Sequence, residues 1–274
     1  MYEDHWKLRE KPFQNNLDQR FFFFSPTHSE ALMRILYSVS EDRGAALLTG
    51  DFGTGKSLVC ARAGRELRGK GYEVAVVNMP SVPPDELVRS VIYALGGKPL
   101  NYTKADLIHA LSEYAKQASE RGARLVVIVD DAHGIRDKAT FEELGLLINM
   151  RDEVGDLMKF IITGEPEVVG TIDRIPFIRR AVELRYHLIP LSEDETKEYI
   201  PHRLSVAQGT NGVFTSESID EVFRWSKGVP RSINSVCDLS LFMGHAQDTD
   251  AVSPGLVKEA AKSLSSRPVL HVEE

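Results

Sequence analysis

Ala45-Ala46-Leu47-Leu48-Thr49-Gly50-Asp51-Phe52-Gly53-Thr54-Gly55-Lys56-Ser57 is the stretch on which the reading of this chain turns. Residues 45–49 are a short apolar run closed by a glycine, the pattern of a strand buried on both faces. Residues 50–57 fit G-x-x-x-x-G-K-[ST], and residues 56–67 continue at helical spacing until Gly69 and Gly71 stop them. A strand, a glycine loop and a helix in that order bind phosphate for a physical reason. The glycines let successive backbone N–H groups converge on phosphate oxygens with no Cβ in the way. The helix beginning there adds the partial positive charge of its N-terminus. Lys56 then has the reach for β- and γ-phosphates, and the Ser57 hydroxyl suits Mg2+. A chance glycine turn is the competing reading, and the flanking strand and helix argue against it.

Outward from this loop, apolar runs at 74–77, 125–129, 160–163 and 181–188 read as further strands. Helical periods at 85–95, 103–120 and 138–150 lie between them. Strands alternating with helices imply an α/β protein, with a parallel sheet covered on both faces. After Pro190 the pattern changes to helices alone, at 192–208, 216–225, 230–245 and 254–264. The expected division is therefore residues 1–189, an N-terminal segment plus the sheet domain, and 190–274, a small helical lid with a tail frayed from 265. Residues 1–28 are irregular and aromatic. Phe21 to Phe24 is expected to pack on the sheet rather than to form a membrane or base-stacking surface.

The run at 125–129 ends in Asp130-Asp131. A carboxylate at the end of a buried strand can orient Mg2+, and a second can face an attacking water. Asp is also common where a turn begins, and by itself the pair would be read that way. With the phosphate loop upstream, Asp130 is assigned to the metal and Asp131 to the water. His133 follows closely. A general-base role is open to it, and so is that of a plain loop histidine.

Composition narrows the remaining classes. With 42% hydrophobic and 27% charged residues the chain has ordinary globular content. A net charge of −7 gives no global field toward nucleic acid or an anionic membrane. Residues 190–274 carry 8 Lys and Arg against 13 Asp and Glu, a poor broad DNA-binding face. Cys60 and Cys237 lie on amphipathic helices and read as small buried residues of a reducing compartment. The first residues include acids where a signal peptide has basic ones, and no window approaches 18 apolar residues. A cytoplasmic protein without direct membrane insertion is expected.

Several further motifs make the chain resemble a known group. They are Trp6-Lys7-Leu8-Arg9-Glu10-Lys11-Pro12-Phe13, Val129-Asp130-Asp131-Ala132-His133, Thr163-Gly164-Glu165-Pro166 and Gly228-Val229-Pro230-Arg231-Ser232-Ile233-Asn234. Together with the phosphate loop they are similar to the AAA+ ATPases typified by general secretion pathway protein A, and to related ATPases that regulate transposition. The resemblance covers roughly residues 5–265. It implies a five-stranded parallel P-loop sheet with a helical lid, and it implies ATP and Mg2+ as ligands, with hydrolysis to ADP. On its pattern Gly50, Asp51, Phe52, Gly53, Thr54, Gly55, Lys56, Ser57 and Leu58 line the nucleotide, with Pro12 and Phe13 near the adenine. Ser57 and Asp130 hold the metal. Asp131, Lys56, Thr163 and Arg231 are implied as catalytic, Thr163 as a sensor of water or γ-phosphate and Arg231 as a second sensor. Arg179 and Arg180 lie where an arginine finger for a neighbouring subunit is expected, although each, like Arg185, also reads as a surface residue.

The sequence departs from the group at Asp131, usually Glu, and at His133, often Gln. The shorter acid motivates the hypothesis of a slow nucleotide switch, which the turnover of Asp131→Glu against wild type tests. Secretion-type members often continue into a membrane segment and a cell-wall-binding region that this sequence lacks. A finger supplied in trans implies a homo-oligomer, ring or filament. The expected partner is duplex DNA with a transposase, or alternatively membrane secretion components. A nucleotide-binding scaffold without turnover is the third reading.

Overall fold

The structure, a computed structural model, describes residues 2–41, 43–78, 82–99, 102–151, 155–209 and 212–265. Five apolar runs form strands β1 (Ala45–Gly50), β2 (Glu73–Asn78), β3 (Leu125–Asp130), β4 (Met158–Gly164) and β5 (Val182–Leu188). They make one sheet of order β2-β3-β4-β1-β5, with every pairing parallel. Residues of β1, β3 and β4 are buried at every position, whereas β5 at the edge alternates buried and more exposed residues. The sequence shows why: inner strands covered on both faces read as continuous apolar runs, while an edge strand keeps polar side chains.

By its internal contacts the chain divides into two units. One comprises Pro26–Phe52 and Lys56–Ile189 and contains the sheet with α1 (Pro26–Ser40), α2 (Lys56–Gly69), α3 (Pro84–Ala94), α4 (Lys104–Glu120), α5 (Lys138–Ile148), α6 (Glu167–Asp173) and α7 (Pro176–Ala181). Local chemistry starts several of these helices. Thr103 and Asp106 form a reciprocal capping box on α4, and the Asp137 side chain accepts the Ala139 N–H of α5. The short helices α6 and α7 are absent from the sequence expectation, because one or two turns show no period to read. Helix α1 begins three residues before Ser29, at a proline whose fixed φ suits a first helical turn.

The other unit comprises Met1–Ser25, Gly53–Gly55 and Pro190–Glu274. It holds α8 (Glu193–Val206), α9 (Ser216–Ser226), α10 (Pro230–Ala246) and α11 (Pro254–Ser265). The tail that was expected to fray lies, at 266–274, outside the described residues.

The placement of the N-terminal segment corrects the expectation. Tyr2, Trp6, Leu8, Phe13 and Phe21 are buried with Tyr199, Ile200, Ile233, Leu241 and Val257 in the core of the helical unit, not on the sheet. Trp6 Nε1 donates to Leu241 O (2.9 Å), and Arg203 ties the segment down by donating to Pro12 O (2.6 Å) and Gln14 O (3.0 Å). Four helices alone leave this apolar surface uncovered. The aromatic segment covers it, and burying each such ring is worth about 2–3 kcal/mol.

Gly228 fixes the entry to α10. It follows Lys227, itself at φ 53°, and takes φ 77°, and a Cβ there would stand 1.8 Å from the Leu191 carbonyl oxygen. Its own carbonyl accepts the Leu191 N–H at 2.9 Å. Only glycine meets both demands.

Candidate nucleotide site

Strand register assembles the site from segments far apart in sequence. Leu48 of β1 is level with Thr163 of β4 and Thr49 with Gly164, while Val129 of β3 is level with Ile162. The carboxyl ends of β1, β4 and β3 therefore bring the phosphate loop, Thr163 and Asp130 to one edge of the sheet. Ligands of open α/β sheets bind at this edge.

The loop leaves β1 at Gly50 and enters α2 at Lys56. Gly53 and Gly55 take φ values of 83° and 105°, which turn successive amides inward. Gly53 also permits a close approach within the helical unit. The Arg231 N–H donates to its carbonyl at 3.2 Å, and a Cβ on residue 53 would meet Arg231 Cβ at 2.8 Å. Thr54 is fully buried.

Lys56 is 6% exposed, and its ammonium donates to Gly50 O (2.8 Å) and Asp51 O (3.0 Å). Burial pushes its pKa down, opposed by the negative charges of Asp131, Glu165, Asp130 and Asp51.

Asp130 is buried at the end of β3. Its Oδ1 accepts a short hydrogen bond from the Thr163 hydroxyl and another from the Asp131 N–H at 3.2 Å. Both bonds end on Oδ1, which leaves Oδ2 for another ligand. The Thr163 oxygen in turn accepts the Asp131 N–H at 3.1 Å. This clasp holds Asp131 at φ 55° and ψ 41°, a left-handed conformation that Asp tolerates better than most residues. Partial burial first, and the Asp130 carboxylate second, raise the Asp131 pKa above its ordinary value. Cys60, on the adjacent helix, is fully buried and its thiol is pushed far up, so it is inert packing.

The sequence reading passed over Glu165 as a site residue. It follows β4 directly, and its negative charge opposes the burial that pushes the Lys56 pKa down. His133, in the single turn Ala132–Gly134, faces both acids. Its Nδ1 accepts the Glu165 N–H at 3.3 Å and lies 3.9 Å from Asp131 Oδ1, while Nε2 lies 3.4 Å from Glu165 Oε1. A backbone donor on Nδ1 assigns the proton to Nε2. The only signal available in sequence was position: one acid after Thr163-Gly164 and one after Asp130, at the ends of neighbouring strands.

The other expected residues fall as follows. Ser57 lies in the first turn of α2, beside Lys56 and followed by Leu58. Asp51 and Phe52 are exposed on the loop. Pro12 and Phe13 are buried in the helical unit, Phe13 edge-on to Phe214 at 5.9 Å. Arg231 opens α10, with its amide on Gly53. Arg179 and Arg180 are exposed in the last turn of α7, whereas Arg185 pairs with Asp173 at 2.7 Å.

These donors fit a magnesium-bound nucleotide. Turned amides and a buried ammonium suit a polyphosphate, and a hydroxyl and a carboxylate are the oxygen donors that suit a hard divalent cation. Among the described residues no cluster of three His, Cys, Asp or Glu makes an all-protein metal cage.

Comparison with known proteins agrees with this geometry. A family profile described as an AAA domain matches residues 39–172. General secretion pathway protein A of Aeromonas hydrophila is 31% identical over 97% of this chain and 49% of its own length. The chain thus spans about half of that relative. Among solved structures, the Aeropyrum pernix ORC2 protein in its ADPNP-ADP complexes superposes with a TM-score of 0.68 at 13% identity, covering 94% of this chain and 72% of that one. Drosophila ORC bound to DNA gives 0.69 at 16% identity, covering 94% and 67%. At those identities the likeness to solved structures shows the fold. No helix among the described residues is long and apolar enough to cross a membrane. The chain matches an AAA domain over residues 39–172, has the five-stranded AAA+ P-loop fold, and is similar to general secretion pathway protein A over nearly its whole length.

Proposed function

We propose that this chain binds ATP with Mg2+ and hydrolyses it to ADP and phosphate. The observation that carries the reading is the buried Lys56 ammonium at the root of a glycine loop, with Asp130 clasped to Thr163 at the neighbouring strand ends. The loop amides and Lys56 bind and orient the β- and γ-phosphates. Magnesium, held by Ser57 and Asp130, supplies neutralising charge on those phosphates. Asp131 orients water for in-line attack, and Thr163 holds the position of both acids. Arg231 adds a planar cation to the γ-phosphate, and Arg179 or Arg180 serves the nucleotide of a neighbouring copy. Phosphate release by the purified chain, compared with Lys56→Ala, tests the proposal. Equal release from both would remove it, and release from neither would leave a nucleotide-binding scaffold.

A site completed in trans makes the active form a homo-oligomer, ring or filament, that regulates a partner. Two settings have support. The likeness to general secretion pathway protein A over 97% of this chain favours work with secretion components. A DNA-bound role of the transposition-regulator type draws on a fold shared with a protein solved on DNA, and the net charge of −7 weighs against it. A duplex-DNA shift with a non-hydrolysable ATP analogue over a salt series separates the two. Salt-sensitive binding that needs the analogue supports the DNA role, and no shift at low salt removes it.

A further inference from the structure

The carboxylate expected to orient water in this site is short, and its backbone is pinned. Two acceptors, Asp130 Oδ1 and Thr163 Oγ1, fix the Asp131 amide, so the side chain has only its own χ angles with which to reach. A second carboxylate stands at the next strand end. Glu165 is longer by a methylene and acts on Lys56 from the same edge of the sheet. Between the two acids the His133 ring is placed from both sides, by the Glu165 N–H on Nδ1 and the Glu165 carboxylate 3.4 Å from Nε2. Gly164 lets the two turns approach this closely, since a Cβ on it would lie 3.3 Å from the His133 backbone nitrogen and 2.9 Å from Val168 Cγ1.

We propose that Glu165 is a second water-orienting carboxylate of this site, sharing that role with Asp131, and that His133 is the positioning residue that sets the two acids relative to each other. The proposal rests on the ATP-hydrolysis reading above and deepens it. In the step, the water oxygen forms a bond to the γ-phosphorus and the bond from phosphorus to the β,γ-bridging oxygen breaks. The bridging oxygen leaves with the electron pair as ADP. One water proton passes to the Glu165–Asp131 pair and on to solvent. His133, with its proton on Nε2, donates toward Glu165 and so holds that carboxylate turned to the site.

The test compares binding of ADP alone with binding of Mg·ADP–aluminium fluoride, an analogue that includes the attacking water, by calorimetry alongside phosphate release. Wild type should prefer the analogue. Glu165→Gln should cut turnover and analogue affinity by about tenfold or more while ADP affinity holds within about twofold. Glu165→Asp, which keeps the charge and loses a methylene, should fall between. His133→Ala should repeat the Glu165→Gln loss. His133→Gln should recover most of it, since an amide can accept from the Glu165 N–H and donate to a carboxylate. Unchanged analogue preference in Glu165→Gln, in a wild type that hydrolyses ATP, overturns this proposal alone. A wild type that binds neither ligand and releases no phosphate overturns the ATP reading as well.

Discussion

The sheet unit buries Lys56 to 6% exposure, and the helical unit buries Arg203 to 3%. The two cations are held quite differently. Arg203 presents its fork to Pro12 O, Gln14 O and the Tyr199 hydroxyl, and its plane lies 4.6 Å from the Phe21 ring centre. The network continues from Tyr199 to Asn234 and from Asn234 to Asn15. Its hydrogen-bond partners are neutral and rigid, so the guanidinium acts as a rivet between the N-terminal segment, α8 and α10. Lys56 donates to two carbonyls of its own loop, and the negative charges of Asp131, Glu165, Asp130 and Asp51 hold its pKa up against burial. A compact ammonium held only by carbonyls of its own glycine loop can turn to a phosphate. A guanidinium that bridges the N-terminal segment to Tyr199 and stacks on the Phe21 ring suits structure.

Exchanging the burdens of the two residues would break this comparison. The largest expected effect is on ligand binding: Lys56→Ala should weaken ATP affinity by about 100-fold or more, with stability changed by about 1 kcal/mol at most. Fluorescent-nucleotide titration and a thermal melt read the two quantities. Arg203→Met should do the opposite in stability. It leaves buried carbonyls without donors at about 1–3 kcal/mol each and should lower Tm by about 6 °C or more. A melt in which Lys56→Ala is the less stable variant would refute the contrast.

Thr163→Val sharpens the picture on the sheet side. It keeps the volume and removes the donor to Asp130, so turnover should fall about tenfold with ADP affinity little changed. Loss of ADP binding instead would mean that Thr163 holds the loop rather than the acids.

The smallest effect concerns Asp131. Its folded pKa is raised, so the protonated form is favoured by folding. That contribution is full below the unfolded value near 3.8 and is lost as pH rises through the folded pKa. At neutral pH the ionised group is therefore a mild liability. Asp131→Asn, which also tolerates the left-handed backbone, should raise Tm slightly at pH 7 and not at all below the unfolded pKa. The gain stays under about 1 kcal/mol because the side chain is 57% exposed. Melts of both proteins across pH 3 to 8 would show the curves converging on the acid side. Parallel curves would rule out the charge as the cause.

Much of the sheet unit was legible because its signals are local. Buried strands are continuous apolar runs, and the glycine loop between β1 and α2 is both a motif and a backbone requirement. The change to unbroken helical period after Pro190 is also where the helical unit resumes. Asp130 could be singled out because it ends the cleanest apolar run. Helices α6 and α7 were not legible, being too short for a period.

What the sequence determined by itself is therefore the strands, the longer helices and the glycine loop, since each depends on residues within a turn or a strand of one another. Tertiary structure alone decided that Tyr2, Trp6, Phe13 and Phe21 close the helical core, that Arg203 is a buried rivet, and that His133 lies between Glu165 and Asp131. Those outcomes depend on strand register and on which apolar surface is left uncovered. Neither quantity exists until segments many residues apart are brought together.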